Sequence, residues 1–189
     1  RDTVWKGKRE ALWELFRAGR RPARQLSFDG FRHRGGSALR DFAVWSALSE
    51  IHGTDWRQWP EELRDPRSTA AEEFAAAQAE RVEFFEWLQW TAQQQLSAAQ
   101  TAAEEAGMGI GVLADLAVGV GKTSAETWLM DDVYAPGITV GAPPDQYNQG
   151  GQDWGQPPWN PLKLEELEYE PFRTMVRAAL NRVGGLRID

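Results

Sequence analysis

Asp145, Tyr147, Gln152, Trp154 and Trp159 stand close together in G-A-P-P-D-Q-Y-N-Q-G-G-Q-D-W-G-Q-P-P-W-N-P, residues 141–161. Flat aromatic rings beside amides and a carboxylate suit a sugar, which offers an apolar ring face and a rim of hydroxyls. The density of Pro and Gly reads as neither helix nor strand, and a loop this long inside a compact domain is functional or disordered. Pro restricts φ and Gly permits tight bends, so the segment is equipped to hold those side chains in one arrangement. A second stretch, V-G-V-G-K-T at residues 118–123, resembles the end of a phosphate-binding P-loop. The full pattern needs a Gly five residues before Gly121, where Leu116 stands, and a helix whose N-terminus faces the phosphates. Only a short stretch separates Thr123 from Pro136, so chance similarity is the better reading of that match.

The rest of the composition narrows the chemistry. Cysteine is absent, which removes disulfides, thiolate metal sites and a thiol nucleophile, and agrees with a cytoplasmic protein. With two histidines, His33 and His52, both in polar loop-like sequence, a His-rich metal site or a Ser-His triad has little to draw on. No apolar run is long enough to span a bilayer. Residues 1–40 hold eleven of the 21 Lys and Arg against four acids. A basic arm of this kind raises nucleic-acid binding. Lys6, Lys8, Arg9 and Arg17, however, interleave with Trp5, Leu12, Trp13, Leu15 and Phe16, which reads as the solvated face of an amphipathic helix. Neither nucleic acid nor membrane is therefore expected as a partner. A chain of 189 residues has room for one domain with a real core. It begins with Arg1 and stops at Asp189, just after an apolar segment opens, and so reads as a piece of a longer protein.

The elements that must position the loop follow from periodicity. A first helix is expected over about 3–17, with Val4, Leu12, Leu15 and Phe16 buried and Gly19 ending it. Residues 20–36 read as broken polar sequence, with Ser27-Phe28-Asp29-Gly30 as a turn. A second helix begins near Ser37, where Phe42, Val44, Trp45 and Leu48 recur, and an irregular connector carries Trp56 and Trp59. The longest helix starts at Ser68 or Thr69 and runs to Ala106, with Phe74, Val82, Phe85, Leu88, Ala92 and Leu96 in one stripe, widened by Phe84, Trp87 and Trp90. Gly107 stops it. Residues 110–120 then read as a strand, which makes an αβ half of a parallel-sheet unit. A short helix or turn over 125–133 follows, then the loop. A single helix over 162–183 buries Phe172, Met175, Val176 and Leu180, and a new strand opens at Leu186.

Several blocks, read in order, resemble one family. They are D-L-A-V-G-V from Asp115, S-A-E-T-W-L from Ser124, V-G-A-P-P-D from Val140, G-Q-D-W-G-Q-P-P from Gly151, and L-R-I-D at the end. Upstream, W-R-Q-W-P from Trp56 and F-F-E-W-L-Q-W from Phe84 are similar as well, so the likeness covers roughly residues 40–189. Together they resemble the amylomaltases, the 4-α-glucanotransferases or disproportionating enzymes of glycoside hydrolase family 77.

The resemblance implies an α/β fold, a helix-rich fragment of a (β/α)8 TIM barrel with an inserted helical subdomain. Residues 1–66 would be that subdomain. Residues 67–189 would supply a helix, strand three, the 141–161 substrate loop, helix three and the start of strand four. It implies transfer of α-1,4-glucan segments between maltooligosaccharides or α-glucan by a retaining double displacement, with neither cofactor nor metal. Asp189 matches the nucleophile, and Arg187, two residues earlier and on the same side of the strand, would orient it and favour its ionised form. Asp115 matches the Asp near the end of strand three, on the catalytic face of such barrels. Asp145 and Tyr147 match the tip of a flexible loop over the cleft, Trp154 matches an acceptor-side Trp, and Trp128 and Trp159 read as packing residues. The general acid/base Glu lies outside this chain, so the fragment alone is expected to be inactive and to self-associate through uncovered barrel edges. Two other readings stand beside this one: a non-catalytic carbohydrate-binding module and a P-loop nucleotide-binding domain.

Overall fold

The computed structural model describes residues 2–188. α1 (Asp2–Arg17) and α2 (Pro22–His52) lead into a connector with two 3-10 turns, Trp56–Gln58 and Glu61–Leu63. α3 (Thr69–Ala77) and α4 (Ala79–Glu105) follow, then β1 (Leu113–Leu116), α5 (Ala125–Leu129), β2 (Val140–Ala142), β3 (Gln152–Gln156), α6 (Pro161–Glu166), α7 (Glu170–Leu180) and β4 (Gly185–Ile188). β1 and β4 pair in parallel, and β2 and β3 pair antiparallel. A parallel pair needs a crossover, here the whole stretch from α5 to α7.

One apolar core ties the helices together. Phe16 of α1, Phe28, Val44 and Leu48 of α2, and Phe84, Trp87 and Trp90 of α4 are all buried in it. Phe84, fully enclosed, packs edge-on against Trp13 and Phe16 with centroids 5.1 and 5.6 Å apart. The Arg81 guanidinium lies over the rings of Trp13, Phe84 and Phe85 and forks onto Glu50. Trp59 and Trp128 close the far end. Trp59 Nε1 donates to the Gly53 carbonyl at 2.7 Å and Trp128 Nε1 to the Leu63 carbonyl at 3.1 Å, so both indoles are buried with their one polar atom satisfied. Two carboxylates are also buried here, each with an arginine: Asp41 with Arg67 at 2.9 Å and Glu86 with Arg32 at 2.6 Å.

Several expectations need correcting. On α1 the buried edge is Phe16 with Leu12 and Trp13 against it, while Val4 and Leu15 are exposed. Residues 22–35 are helical rather than broken. α2 begins with Pro22 in its first turn and runs on past Ser27-Phe28-Asp29-Gly30 to a kink at Gly36, whose backbone is not helical (φ 54°, ψ -143°), so that a second helical arm opens at Ser37 as expected. Phe28, wholly enclosed beneath Arg20 and beside Trp90, supplies the tertiary contact that overrides the local turn signal. His33 and His52 accordingly lie on this helix, both exposed.

The long helix from Ser68 is two helices. Ser68 caps α3, accepting from the Ala71 N–H at 3.1 Å, and Gln78 breaks it before α4. Leu96 is exposed. The strand expected over 110–120 shortens to four residues, and the helix expected over 162–183 divides into α6 and α7, separated by Glu168 and Tyr169 with φ of 51° and 60°. The loop of residues 141–161 also contains strand, because its breakers stand outside the paired residues or where pairing needs them. Pro143 and Pro144 follow β2, and Pro157 and Pro158 follow β3. Gly141 lies where any Cβ would come within 1.9 Å of the Gln152 carbonyl oxygen.

Candidate functional site

The parallel pair sets the first part of the site. Asp115 and Arg187 each stand third in a four-residue strand and are register partners. Their side chains therefore leave the sheet on the same side, and Arg187 Nε donates to Asp115 Oδ1 at 2.8 Å. Both side chains are open to solvent, 60% and 65% exposed. Asp189, the residue matched to the nucleophile, lies outside the described residues.

The β2–β3 ribbon sets the second part. Its base is closed by Tyr134 and Trp159, bridged through their backbones and stacked with centroids 4.7 Å apart. Ala135 N–H donates to the Pro158 carbonyl and Asn160 N–H to the Val133 carbonyl, at 2.9 and 2.8 Å. Trp159 is thus a packing residue, as is Trp128. Above this base Trp154 presents its indole to solvent, 42% exposed, with Nε1 donating to Gln152 Oε1 at 3.1 Å. At the tip Tyr147 is 90% exposed.

Asp145 is occupied differently from a free ligand-binding carboxylate. Its Oδ1 accepts from the backbone N–H groups of Tyr147 and Asn148, each at 2.7 Å, and so it shapes the turn that displays Tyr147.

Two residues escaped the sequence reading. Tyr134 is 5% exposed, burial raises its phenol well above the ordinary range, and its hydroxyl has no hydrogen-bond partner among the described residues. It lines a cavity of about 450 Å³ together with Leu116, Val120, Val140 and Trp159. Asp153 is the other: the Thr139 side chain and the Gly155 N–H hold its carboxyl below the usual range. The aromatic–hydrophobic V-Y at residues 133–134 was the available signal for the first; nothing in the pattern marks the second.

Among the described residues no group of three His, Cys, Asp or Glu is placed to hold a metal ion. No helix among them is long and apolar enough to cross a membrane. The P-loop reading fails on geometry as well, since the helix after Thr123 has five residues and is capped by the Ser124 side chain.

The family model described as 4-alpha-glucanotransferase matches residues 1–189. The chain belongs to this family. It is 49% identical over 189 residues to the 4-alpha-glucanotransferase of Mycobacterium tuberculosis (strain ATCC 25618 / H37Rv), covering all of this chain and 26% of that protein. Among solved structures it is similar to the amylomaltase from Corynebacterium glutamicum, with TM-score 0.79 and 40% identity, over 99% of this chain and 25% of that one. The amylomaltase from Streptococcus agalactiae in complex with acarbose shares the fold, with TM-score 0.83 and 22% identity, over 97% of this chain and 38% of that one. The chain thus spans about a quarter of the length of the mycobacterial relative. The likeness also reaches further than the motifs indicated, since it includes the first 40 residues. A carbohydrate-binding module and a nucleotide-binding domain are both set aside by the match of the whole chain to this family.

Proposed function

We propose that this 4-alpha-glucanotransferase chain forms one wall of a glucan cleft, and that the complete enzyme moves α-1,4-linked glucan between maltooligosaccharides by a retaining double displacement. The observation that carries the reading is the in-register Asp115–Arg187 ion pair at the ends of two parallel strands, two residues short of Asp189. In this scheme β1 and β4 are strands three and four of a (β/α)8 barrel, residues 1–66 a helical subdomain, and residues 67–189 the barrel part. Asp115 and Arg187 then stand on its catalytic face.

Asp189 attacks the anomeric carbon, and the leaving 4-oxygen takes a proton from an acid supplied outside this chain. A covalent glycosyl-enzyme forms. The same outside group then accepts the proton of the incoming 4-hydroxyl as that oxygen displaces Asp189. Arg187, held by Asp115, keeps a positive charge beside the nucleophile and favours its ionised form. The ribbon is the acceptor side: Trp154 offers an indole face to a sugar ring, and Tyr147, displayed by the Asp145 turn, reaches over the cleft. Closing this ribbon excludes water, which a transferase needs if a sugar hydroxyl is to win over hydrolysis.

In the full-length protein, Asp189→Asn should abolish glucose release from maltotriose while leaving the fold intact; retained activity overturns the reading. The 189-residue chain alone should release none. It should also self-associate in sedimentation, because α7 has no buried residue and leaves Phe172 and Leu180 exposed.

A further inference from the structure

The strand that carries Trp154 is held from behind. Successive side chains of β3 leave opposite faces, so Gln152 and Trp154 share one face and Asp153 takes the other. The indole–amide bond between Trp154 and Gln152 shows the first part of this. On the reverse face Asp153 Oδ1 accepts from the Gly155 N–H at 2.8 Å. Gly155 has φ of 65°, a left-handed conformation that side-chain-bearing residues adopt at a cost, and it comes directly after Trp154. The Asp153 carboxylate thereby pins the backbone bend on which the indole sits. Asp153 is also tied to the other strand of the ribbon. It is the register partner of Gly141, just past the bulge at Val140/Gly141, and the Thr139 hydroxyl hydrogen-bonds it. The charge of Lys122, in the loop that follows β1, acts on the same carboxylate. One side chain therefore links the bend beside Trp154 to the start of the partner strand.

We propose that Asp153 is a positioning residue for the acceptor side, fixing the angle at which Trp154 presents its indole to an incoming sugar. The proposal rests on the reading of Trp154 as the acceptor-side residue. Asp153 itself faces away from a sugar stacked on that indole and touches no reacting atom. Its carboxylate accepts from the Gly155 N–H and is held by the Thr139 side chain, which a neutral or shorter side chain allows less well.

The experiment uses the full-length transferase, a maltooligosaccharide donor and labelled glucose as acceptor, with Asp153→Ala, Asp153→Asn, Thr139→Val and Trp154→Ala compared with the parent. Asp153→Ala should raise the acceptor KM about tenfold while kcat at saturating acceptor and the donor KM hold, because a misaimed platform weakens capture without altering the carboxylates. Asp153→Asn, which keeps an oxygen for the Gly155 N–H, should recover most of that loss. Thr139→Val should show a smaller rise in the same constant. Trp154→Ala should raise acceptor KM at least as far, and adding Asp153→Ala to it should change nothing more, since both act through one indole. If Trp154→Ala raises acceptor KM and neither Asp153 variant nor Thr139→Val does, Asp153 has no positioning role. A fall in kcat and a rise in both KM values together would mark a general structural role and equally overturn the proposal. If Trp154→Ala leaves acceptor KM unchanged, the acceptor-side reading itself fails. Should Asp153→Ala not fold, the Asn and Val variants carry the same test.

Discussion

The helical half of the molecule and the half that bears the candidate site are built on opposite terms. From α1 to α4 the side chains meet one another: Phe84, Phe28 and Leu48 are wholly enclosed, and of the basic residues crowded into the first 40 positions, Arg9, Arg20, Arg24, Arg32 and Arg40 lie over rings or against acids. From β1 onward little is enclosed. α7 has one apolar side yet buries no residue, and Asp115, Arg187, Tyr147 and Trp154 all face solvent. Ten tryptophans serve both halves, with their polar atoms closed off at Trp59 and Trp128 and with a ring presented outward at Trp154. A scaffold secures its own stability through burial; a cleft keeps polar and aromatic groups open until substrate covers them.

The largest effect should come from cutting into the first half. Phe84→Ala removes a ring enclosed by Trp13, Phe16, Phe85 and Trp87, and should lower stability by about 3–5 kcal/mol in chemical denaturation. The matching change in the second half, Phe172→Ala, removes a ring that is 36% exposed and touches Trp159 edge-on at 6.5 Å. It should cost about 1 kcal/mol or less. Equal losses would erase the contrast.

Next in size is a difference in how the two halves respond to pH. Burial raises the Glu86 carboxyl above its ordinary value, outweighing the attraction of Arg32. Between the ordinary and the raised value the folded chain holds a proton that the unfolded chain releases, so stability falls as pH rises through that interval. Asp153 has the opposite sign. Its carboxyl is lowered, so its contribution is present above the unfolded value and is lost as pH falls through the folded one. Denaturation from mildly acidic to neutral pH should therefore show the first slope weakened in Glu86→Gln and unchanged in Asp153→Asn. An unchanged slope in Glu86→Gln would remove the buried charge from the account.

The same contrast explains what could be read from the sequence. α1, the Ser68 cap and the aromatic run from Phe84 to Trp90 announce themselves through helical spacing and a local cap, which are properties of neighbouring residues. The first half of α2 does not, because Phe28 is fixed by Trp90, 62 positions along the chain, and no local rule reports that contact. The ribbon was hidden by its own Pro and Gly content, which ends the strands and permits their close approach instead of preventing pairing. The division of α6 from α7 had a usable sign in Pro171, in the first turn of a new helix. In the site, the residue types pointed to a sugar, but their partners were invisible. Asp145 spends its carboxylate on its own turn, and Asp115 meets Arg187 only through a parallel register set by the crossover.

The smallest change in stability should follow Asp115→Asn, and that smallness is the point of the test. The pair it disrupts spans two side chains that are each more than half exposed, and exposed ion pairs contribute about 0–1 kcal/mol. Asn keeps the shape and an oxygen facing Arg187 Nε, so the melting temperature should hardly move. If Arg187 orients the nucleophile as proposed, however, kcat/KM for maltotriose disproportionation by the full-length protein should fall about a hundredfold, because the guanidinium is no longer held in place by charge. Burial cannot produce that split between stability and activity, since a residue that packs nothing loses nothing by substitution. If Asp115→Asn instead unfolds the protein as Phe84→Ala should, the strand pair is scaffold. If it leaves transfer untouched, the Asp115–Arg187 bridge is a surface contact and the cleft must be built from other residues.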